Sequence, residues 1–200
     1  MKRIILIILF LFIGNMAFAQ SRANKLKEVR DKWELTTDGR VAFRTIYQFP
    51  TKSQERLSQL TEQFFQRYFV DNPLEEVDWE RGYFRARAGF SRVHSTYRVY
   101  DGDNTVSTIY DFVVEIKEDR VRVSIILQAY EGATIPEEGG FIRNSTLDPA
   151  AFYPVNPNGK NKDYFMNVFY GTYQRAERVT DSYREYIYEQ PDVQPAADDW

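Results

Sequence analysis

The sequence contains no cysteine and a single histidine, His94. Without cysteine the chain cannot form disulfides, thiolate metal sites or a lipid anchor on a cysteine. One histidine excludes metal sites that need two, such as the HExxH helix. A Ser-His-Asp triad would also need a GxSxG turn, which the chain lacks. We therefore expect no metal, no cofactor and no catalytic residue, and we interpret His94 as a surface or hydrogen-bonded residue.

Only one long apolar run is present, Ile4–Ile13, and it is shorter than the about 20 residues that a membrane span requires. Two positive residues precede this run, and the small residues Ala17 and Ala19 follow it, which is the pattern of a cleavable signal peptide. We predict a signal peptide over residues 1–19, cut between Ala19 and Gln20. The mature chain is then exported, periplasmic or secreted, soluble and not a lipoprotein.

The chain has little excess charge of either sign, with a formal net charge of −3 that cleavage of two cations would change to −5. A negative balance disfavours nucleic-acid binding, which needs unpaired cations. Aromatic residues are abundant instead, with 15 Phe, 14 Tyr and 3 Trp among 200 residues. They either fill a core or form stacking platforms for a sugar or an apolar ligand.

Hydrophobic periodicity predicts the elements of the first half of the chain. A polar arm over residues 20–40 is followed by alternating apolar residues from Val41 to Phe49, which predict a strand. Apolar residues at intervals of three and four then predict a helix from Lys52 to Val70. Thr51 and Gln54 have the spacing of a capping box at the start of that helix.

Two hairpins are predicted from cross-strand pairing. A turn at Arg81-Gly82 places Trp79 opposite Phe84 and Val77 opposite Ala86. A turn at Glu118-Asp119 pairs ten positions on each strand, with apolar residues such as Ile116 and Val121 facing each other on one side and Glu115 opposite Arg122 on the other.

The stretch between these hairpins is predicted to contain an irregularity and a further turn. The apolar parity changes between Phe90 and Tyr97, so a bulge must lie between Ser91 and Thr96. We place the turn at Asp101–Asn104. Asp101, Asp103 and Asn104 lack the distal glutamate of a calcium loop, and we interpret them as turn residues.

The last third of the chain combines an irregular stretch with a long helix. Residues 131–163 are rich in Gly, Pro and Asn, and we predict a long loop that carries family-specific function. A helix from Lys162 to Glu189 follows, and residues 190–200 form an acidic tail. We predict a single α+β domain over residues 41–189.

The predicted order is β-α-β-β-β-β-α behind a signal peptide. This order, the helix after Phe49-Pro50, the hairpin Glu80–Phe84 and the stretch Tyr110–Val123 resemble a family of exported domains of unknown function from Bacteroides-type bacteria. The resemblance implies a TATA-binding-protein-like fold, with a single mostly antiparallel sheet and two helices packed on one face. It implies no activity and no site residues. The arm before Val41 and the loop at 131–163 depart from the family's simpler form.

Three functions are compatible with the sequence. The first is a non-enzymatic envelope module that binds a protein or other envelope component through the long loop and the exposed sheet face. The second is a carrier of a hydrophobic ligand held between the sheet and the last helix, against Phe43, Tyr47, Phe84, Phe90, Tyr110 and Phe112. The third is a hydrolase that uses paired carboxylates. A likeness of fold to a DNA-binding protein does not imply DNA binding, and we expect no nucleic-acid partner.

The predicted faces of the Glu118-Asp119 hairpin are tested by two adjacent substitutions. Val114→Asp should abolish folding, because it places a charge in the apolar core. Glu115→Gln should lower the free energy of unfolding by at most about 1 kcal/mol, because its pair with Arg122 faces solvent. Urea denaturation followed by circular dichroism measures both, and similar losses from the two variants would contradict the assignment.

Overall fold

The computed structural model describes residues 24–70, 74–98, 102–137, 140–159 and 161–191. The chain divides into two compact units, Met1–Trp33 and Glu34–Trp200. In the first unit, residues 24–29 form a short helix, α1. The predicted signal peptide, its cleavage site at Ala19 and Gln20, and the acidic tail beyond Pro191 lie outside the described residues.

The second unit contains one antiparallel sheet and two long helices, which confirms the predicted α+β class. The strands are β1 (Glu34–Leu35), β2 (Val41–Gln48), β3 (Leu74–Asp78), β4 (Tyr83–Arg98), β5 (Gly102–Lys117), β6 (Arg120–Glu137) and β7 (Gly140–Leu147). The helices are α2 (Gln54–Tyr68) and α3 (Lys162–Glu189), and a 3-10 turn spans Pro149–Ala151. The strand order is β1-β2-β6-β5-β4-β3, with β7 pairing to β6 beside this path.

Both long helices were predicted from sequence, but the start of α2 is capped differently. The Ser53 hydroxyl accepts a hydrogen bond from the Arg56 amide at 3.2 Å, so Ser53 is the N-cap. Thr51 lies in the preceding turn, where the Lys52 amide donates to the Phe49 carbonyl. The predicted capping box from Thr51 is therefore wrong, because the chain still turns at that residue.

The first predicted hairpin forms with a shifted register. Val77 lies opposite Phe84 and Asp78 opposite Tyr83, so the connection contains four residues instead of two. The Asp78 carboxylate accepts a hydrogen bond from the Arg81 amide at 3.0 Å, and Gly82 adopts a left-handed φ of 63°. These turn contacts favour the longer connection over Arg81-Gly82 alone. Because the shift is two residues, each side chain keeps its predicted face.

The second predicted hairpin is confirmed over most of its length. Ile116 pairs with Val121 and Glu115 with Arg122, and this register continues to Tyr110 opposite Leu127. A register shift follows between Ile109 and Tyr110, so the pairing predicted beyond this point is displaced. The bulge bends the long strands and ends the strict alternation.

The predicted irregularity in β4 is also confirmed. The β4–β5 register shifts between Phe90 and His94, and Arg92 has a left-handed φ of 53°. The following turn is displaced from its predicted place, because Arg98 pairs with Gly102 and Tyr97 with Asp103. Asp103 and Asn104 therefore belong to β5, while Asp101 lies outside the described residues. Hydrogen bonding with β4 outweighs the low β-strand propensity of Asp103 and Asn104.

The predicted loop over residues 131–163 is wrong over its first half, which is a hairpin of β6 and β7. Gly132 lies between the pairs Tyr130–Leu147 and Ala133–Ser145 and has a left-handed φ of 75°. This glycine breaks the apolar alternation without ending the strand, as a β-bulge does. Between β7 and α3, the described residues 148–159 and Asn161 form no strand or α-helix, and Pro149–Ala151 form the 3-10 turn.

The helices α2 and α3 pack on one face of the sheet through an aromatic layer. Phe112 on β5 lies at the centre of this layer, with ring centroids 5.4 Å from Phe65 and 5.2 Å from Phe69. Phe43 on β2 lies 5.3 Å from Phe169 on α3. The layer is buried, and its members are Phe43, Phe64, Phe65, Phe69, Phe84, Phe112, Phe169 and Tyr183.

Two contacts connect α2 to the chain that follows α3. The Lys52 ammonium, which is buried, donates to the Gln190 carbonyl at 2.9 Å. The Arg56 guanidinium donates to the Pro191 carbonyl at 3.1 Å. The last described residues are thus held by the start of α2.

Helix α3 crosses β4 at a glycine. A Cβ atom added to Gly171 would lie 2.1 Å from the Val93 carbonyl oxygen, within the β4 bulge. No side chain fits at this distance, so the sequence places glycine where the two backbones meet.

Gly171→Ala should therefore lower stability although alanine favours helix formation. The helix must move away from the bulge, and we expect a loss of about 2 kcal/mol or more in the free energy of unfolding. Gly39→Ala is the matched control, because a Cβ there meets no atom within 4 Å. Its loss should be limited to the strain of a positive φ, about 1 kcal/mol. A stability gain in Gly171→Ala, measured by urea denaturation, would contradict the contact.

Candidate functional site

The sheet face opposite the helices carries charged and other side chains of four neighbouring strands, β2, β6, β5 and β4, and we call it the open face. Strand alternation turns these side chains away from the aromatic layer. They are Arg44 and Ile46 on β2, Arg85 and Arg87 on β4, Asp111, Val113, Glu115 and Lys117 on β5, and Arg120, Arg122, Ser124 and Gln128 on β6.

Asp111 is the central charged residue of the open face, with a side chain only 3% exposed. Arg87 binds both carboxylate oxygens, at 2.8 and 3.3 Å, and Gln128 donates to one of them at 2.9 Å. Arg85 lies 3.8 Å away. The hydrogen bond to Asp111 raises the pKa of the Arg87 guanidinium. The buried carboxylate is therefore satisfied by neighbours on β4 and β6.

A second ion pair joins the neighbouring strands. Glu115 on β5 faces Arg122 on β6, as predicted, and the two form a bidentate pair with one N–O distance of 2.6 Å. This hydrogen bonding raises the pKa of Arg122. On β2, Arg44 pairs with Glu34 and donates to the Ser124 hydroxyl at 3.3 Å. The open face is thus a lattice of cross-strand pairs.

A groove of about 210 Å³ lies at the end of this lattice. It is lined by one exposed apolar residue and four charged residues, namely Ile46, Glu115, Lys117, Arg120 and Arg122, and we call it the basic groove. Lys117 and Arg120 lie opposite each other in the register, are exposed, and form no ion pair with the described residues. Because Arg122 pairs with Glu115, the residues that line the groove keep a net charge of +2, and the exposed acids Glu118 and Asp119 lie in the turn beside them.

The carboxylates of the open face do not form a paired catalytic site. Glycoside hydrolysis needs two carboxyl groups directed at one substrate. Asp111 and Glu115 each point onto arginines instead. In the described ranges, no group of three His, Asp or Glu residues is arranged to hold a metal ion.

His94 lies outside the open-face lattice. It is half-buried at the β4 bulge, and its ring is 5.3 Å from that of Tyr164 on α3. This position agrees with a structural interpretation of the only histidine.

The six aromatic residues proposed for a carrier are packed among themselves and against the helices. Phe90 stacks on Tyr110 at 4.0 Å, and Tyr47 lies 6.4 Å from Phe49. Phe84 lies 5.5 Å from Trp79. All six are buried. Each of the six rings therefore lies against at least one other aromatic ring.

Sequence reasoning did not single out Asp111 or the basic groove. The signal for Asp111 was present, since it is the one charge in the apolar stretch from Ile109 to Val114 and so faces away from the core. Lys117 and Arg120 flank the predicted turn, and only the pairing of Ile46 with Arg122 brings β2 beside them.

Comparison with solved structures identifies the fold. One similar structure is a DUF4468 family protein from Bacteroides ovatus, with a TM-score of 0.58, 13% identity, and coverage of 80% of this chain and 92% of that one. Another is a TBP-like protein from Parabacteroides distasonis, with a TM-score of 0.59, 9% identity, and coverage of 78% and 97%. The fold is TATA-binding-protein-like. The resemblance seen in the sequence is thereby confirmed at the level of fold, and neither name states an activity or a ligand.

No family model and no curated protein matches the sequence. Among the described residues, no helix is long and apolar enough to cross a membrane.

Because Asp111 is buried and Glu115 is partly exposed, removing the charge of each should lower the stability of the protein by different amounts. Asp111→Asn should lower the free energy of unfolding by about 2 kcal/mol, because a buried carboxylate that accepts from Arg87 and Gln128 is replaced by a neutral amide whose NH2 group is a donor facing other donors. Glu115→Gln is the matched control, since its pair is partly exposed and should contribute less than about 1 kcal/mol. Guanidinium denaturation resolves the difference. Equal losses would mean that Asp111 is not the centre of the lattice.

Proposed function

We propose that this protein is a non-enzymatic binding module that receives a protein partner on its open face. The main observation in support of this proposal is the contrast between the two faces of the sheet. The helix-covered face is filled by aromatic rings, whereas the open face holds ordered charged side chains and an exposed isoleucine, Ile46. Arginine, which this face carries on β2, β4 and β6, is enriched at protein interfaces, where a polar rim surrounds an apolar core.

Pre-ordering of the open face supports a binding role. Arg87 and Arg122 are each fixed by a two-point contact with a carboxylate on β5. Side chains that are already fixed lose less conformational entropy when a partner arrives. The face is therefore prepared for recognition without further rearrangement.

Packing argues against the alternative of a hydrophobic-ligand carrier. Such a carrier needs an apolar cavity of about 300 Å³ or more. The rings proposed to line it are in contact with each other, with Phe112 held by three phenylalanines of the α2 region. A ligand could enter only by displacing them.

Export is the second part of the proposal. It rests on the sequence of residues 1–19, with its charged start, apolar run and small residues before Gln20. In that compartment the partner would be a protein or other component of the cell envelope.

The open face can be tested by site-specific photo-crosslinking in an envelope extract. A photoreactive residue at position 46 reports on the open face, and one at position 70, after α2, is the control. Ile46 is 59% exposed and Val70 is 76% exposed, so both side chains reach solvent. We expect a discrete crosslinked protein from position 46 and none from position 70. Crosslinking from position 70 alone, or from neither, would contradict the proposal.

A further inference from the structure

The outer edge of β2 is open along part of its length. Strand β1 pairs only with Val41 and Ala42, and the other neighbour of β2 is β6. The Phe49 amide donates to the Asp119 carbonyl on the β6 side, whereas the Gln48 carbonyl accepts from the Tyr188 hydroxyl. Backbone groups of alternate residues point to the same side of a strand. The backbone N–H and C=O groups of Arg44 and Ile46 therefore point away from β6, to the side where no described strand pairs with them.

The two lateral edges of the sheet differ in charge. The β3 edge carries Glu75, Glu76 and Asp78 within five residues, and charged side chains on an edge strand discourage further pairing. The open stretch of β2 is Arg44-Thr45-Ile46, in which Arg44 is already paired with Glu34. Of these two edges, β2 is the one suited to accept another strand.

The basic groove lies directly beside this open edge. Ile46 is opposite Arg122 in the register, and Gln48 is opposite Arg120. Strand spacing places a strand added to β2 about 10 Å from β6, a distance that arginine and glutamate side chains span together. The charge of Arg120 on β6 therefore faces the position of an added strand, whereas Lys117 on β5 lies one strand further away and adds its positive charge at longer range. Both are positive in a chain whose net charge is −3.

We propose that an acidic, extended segment of a partner protein binds as an additional strand on β2, with an apolar residue on Ile46 and carboxylates directed at Arg120 in the positive field of Lys117. Backbone hydrogen bonds to Arg44 and Ile46 supply affinity, and the groove supplies specificity. This inference rests on the proposed function and names the chemistry of the partner.

A second copy of the chain is a poorer occupant of this edge. Two β2 edges brought together would place Arg44 and the basic groove of one copy against those of the other, and like charges oppose this pairing. An edge-to-edge contact between β2 and the acidic β3 of another copy does not close and would build a filament. Self-association is therefore an outcome that the test must detect.

The probe is a fluorescein-labelled peptide, Thr-Glu-Thr-Glu-Thr-Val-Thr-Glu-Thr, whose alternate residues share one face of a strand. Fluorescence anisotropy at low salt measures its binding to the chain that begins at Gln20. We expect saturable binding that salt weakens, and about tenfold weaker binding of the same peptide with Lys in place of Glu. No binding of the acidic peptide, or equal binding of the basic one, would overturn the inference.

Substitutions in the protein distinguish the contribution of the positive charges at Lys117 and Arg120 from that of backbone pairing at Ile46. Lys117→Gln combined with Arg120→Gln should weaken binding about tenfold. Ile46→Pro should abolish it, because proline removes an outward N–H and is tolerated on an edge strand. Ile46→Ala keeps that N–H and should weaken binding by only about threefold. Thermal unfolding confirms that each variant is folded.

A peptide methylated at alternate backbone nitrogens gives the same test without altering the protein, and it too should fail to bind. Unchanged binding of the methylated peptide or of the charge-removal variant would overturn the inference. So would sedimentation velocity showing that the chain alone self-associates through an interface that Ile46→Pro removes. If position 46 still crosslinks a partner while these tests fail, the proposed function stands and only the acidic strand is wrong.

Discussion

The aromatic layer between the sheet and the two long helices is the constraint on which the structure depends. Phe112 on the central strand β5 contacts three phenylalanines from the end of α2, and Phe43 on β2 contacts Phe169 on α3. Rings of this size bury large apolar areas and pack in defined orientations, so they fix where each helix lies on the sheet. Because the layer uses one side of every central strand, the other side is free to carry charge, and the open face follows from it.

Buried polar contacts give this layer its specificity. The hydroxyls of Thr61 on α2 and Tyr183 on α3 are 2.7 Å apart, and burial raises the pKa of the Tyr183 phenol. The hydroxyls of Thr108 and Thr172 meet at 2.8 Å between β5 and α3. The Thr172 hydroxyl also donates to the Val168 carbonyl of its own helix, so Thr108 is the donor to Thr172. A helix that slid along the sheet would lose both the ring contacts and these hydrogen bonds.

Much of the fold could be predicted because periodicity and turn chemistry are local signals. The bounds of α3 and the pairing of Glu115 with Arg122 came directly from them. The hairpin over Gly132 was missed, because a bulged glycine interrupts the alternation that identifies a strand. The open edge of β2 and the basic groove depend on which strands become neighbours. Pairing of β2 with β6 joins residues nearly eighty positions apart, and no local pattern specifies it.

The hydrogen bonds that hold the carbonyls of Gln190 and Pro191 have a mechanical consequence. Lys52 and Arg56 at the start of α2 hold the two carbonyls that follow α3, so tension on the chain beyond them is shared between both helices. Within α3, Gly171 lies against the β4 bulge and fixes where the helix crosses the sheet. A load on the chain beyond Pro191 would therefore act on α2 and α3 together before it reached the sheet.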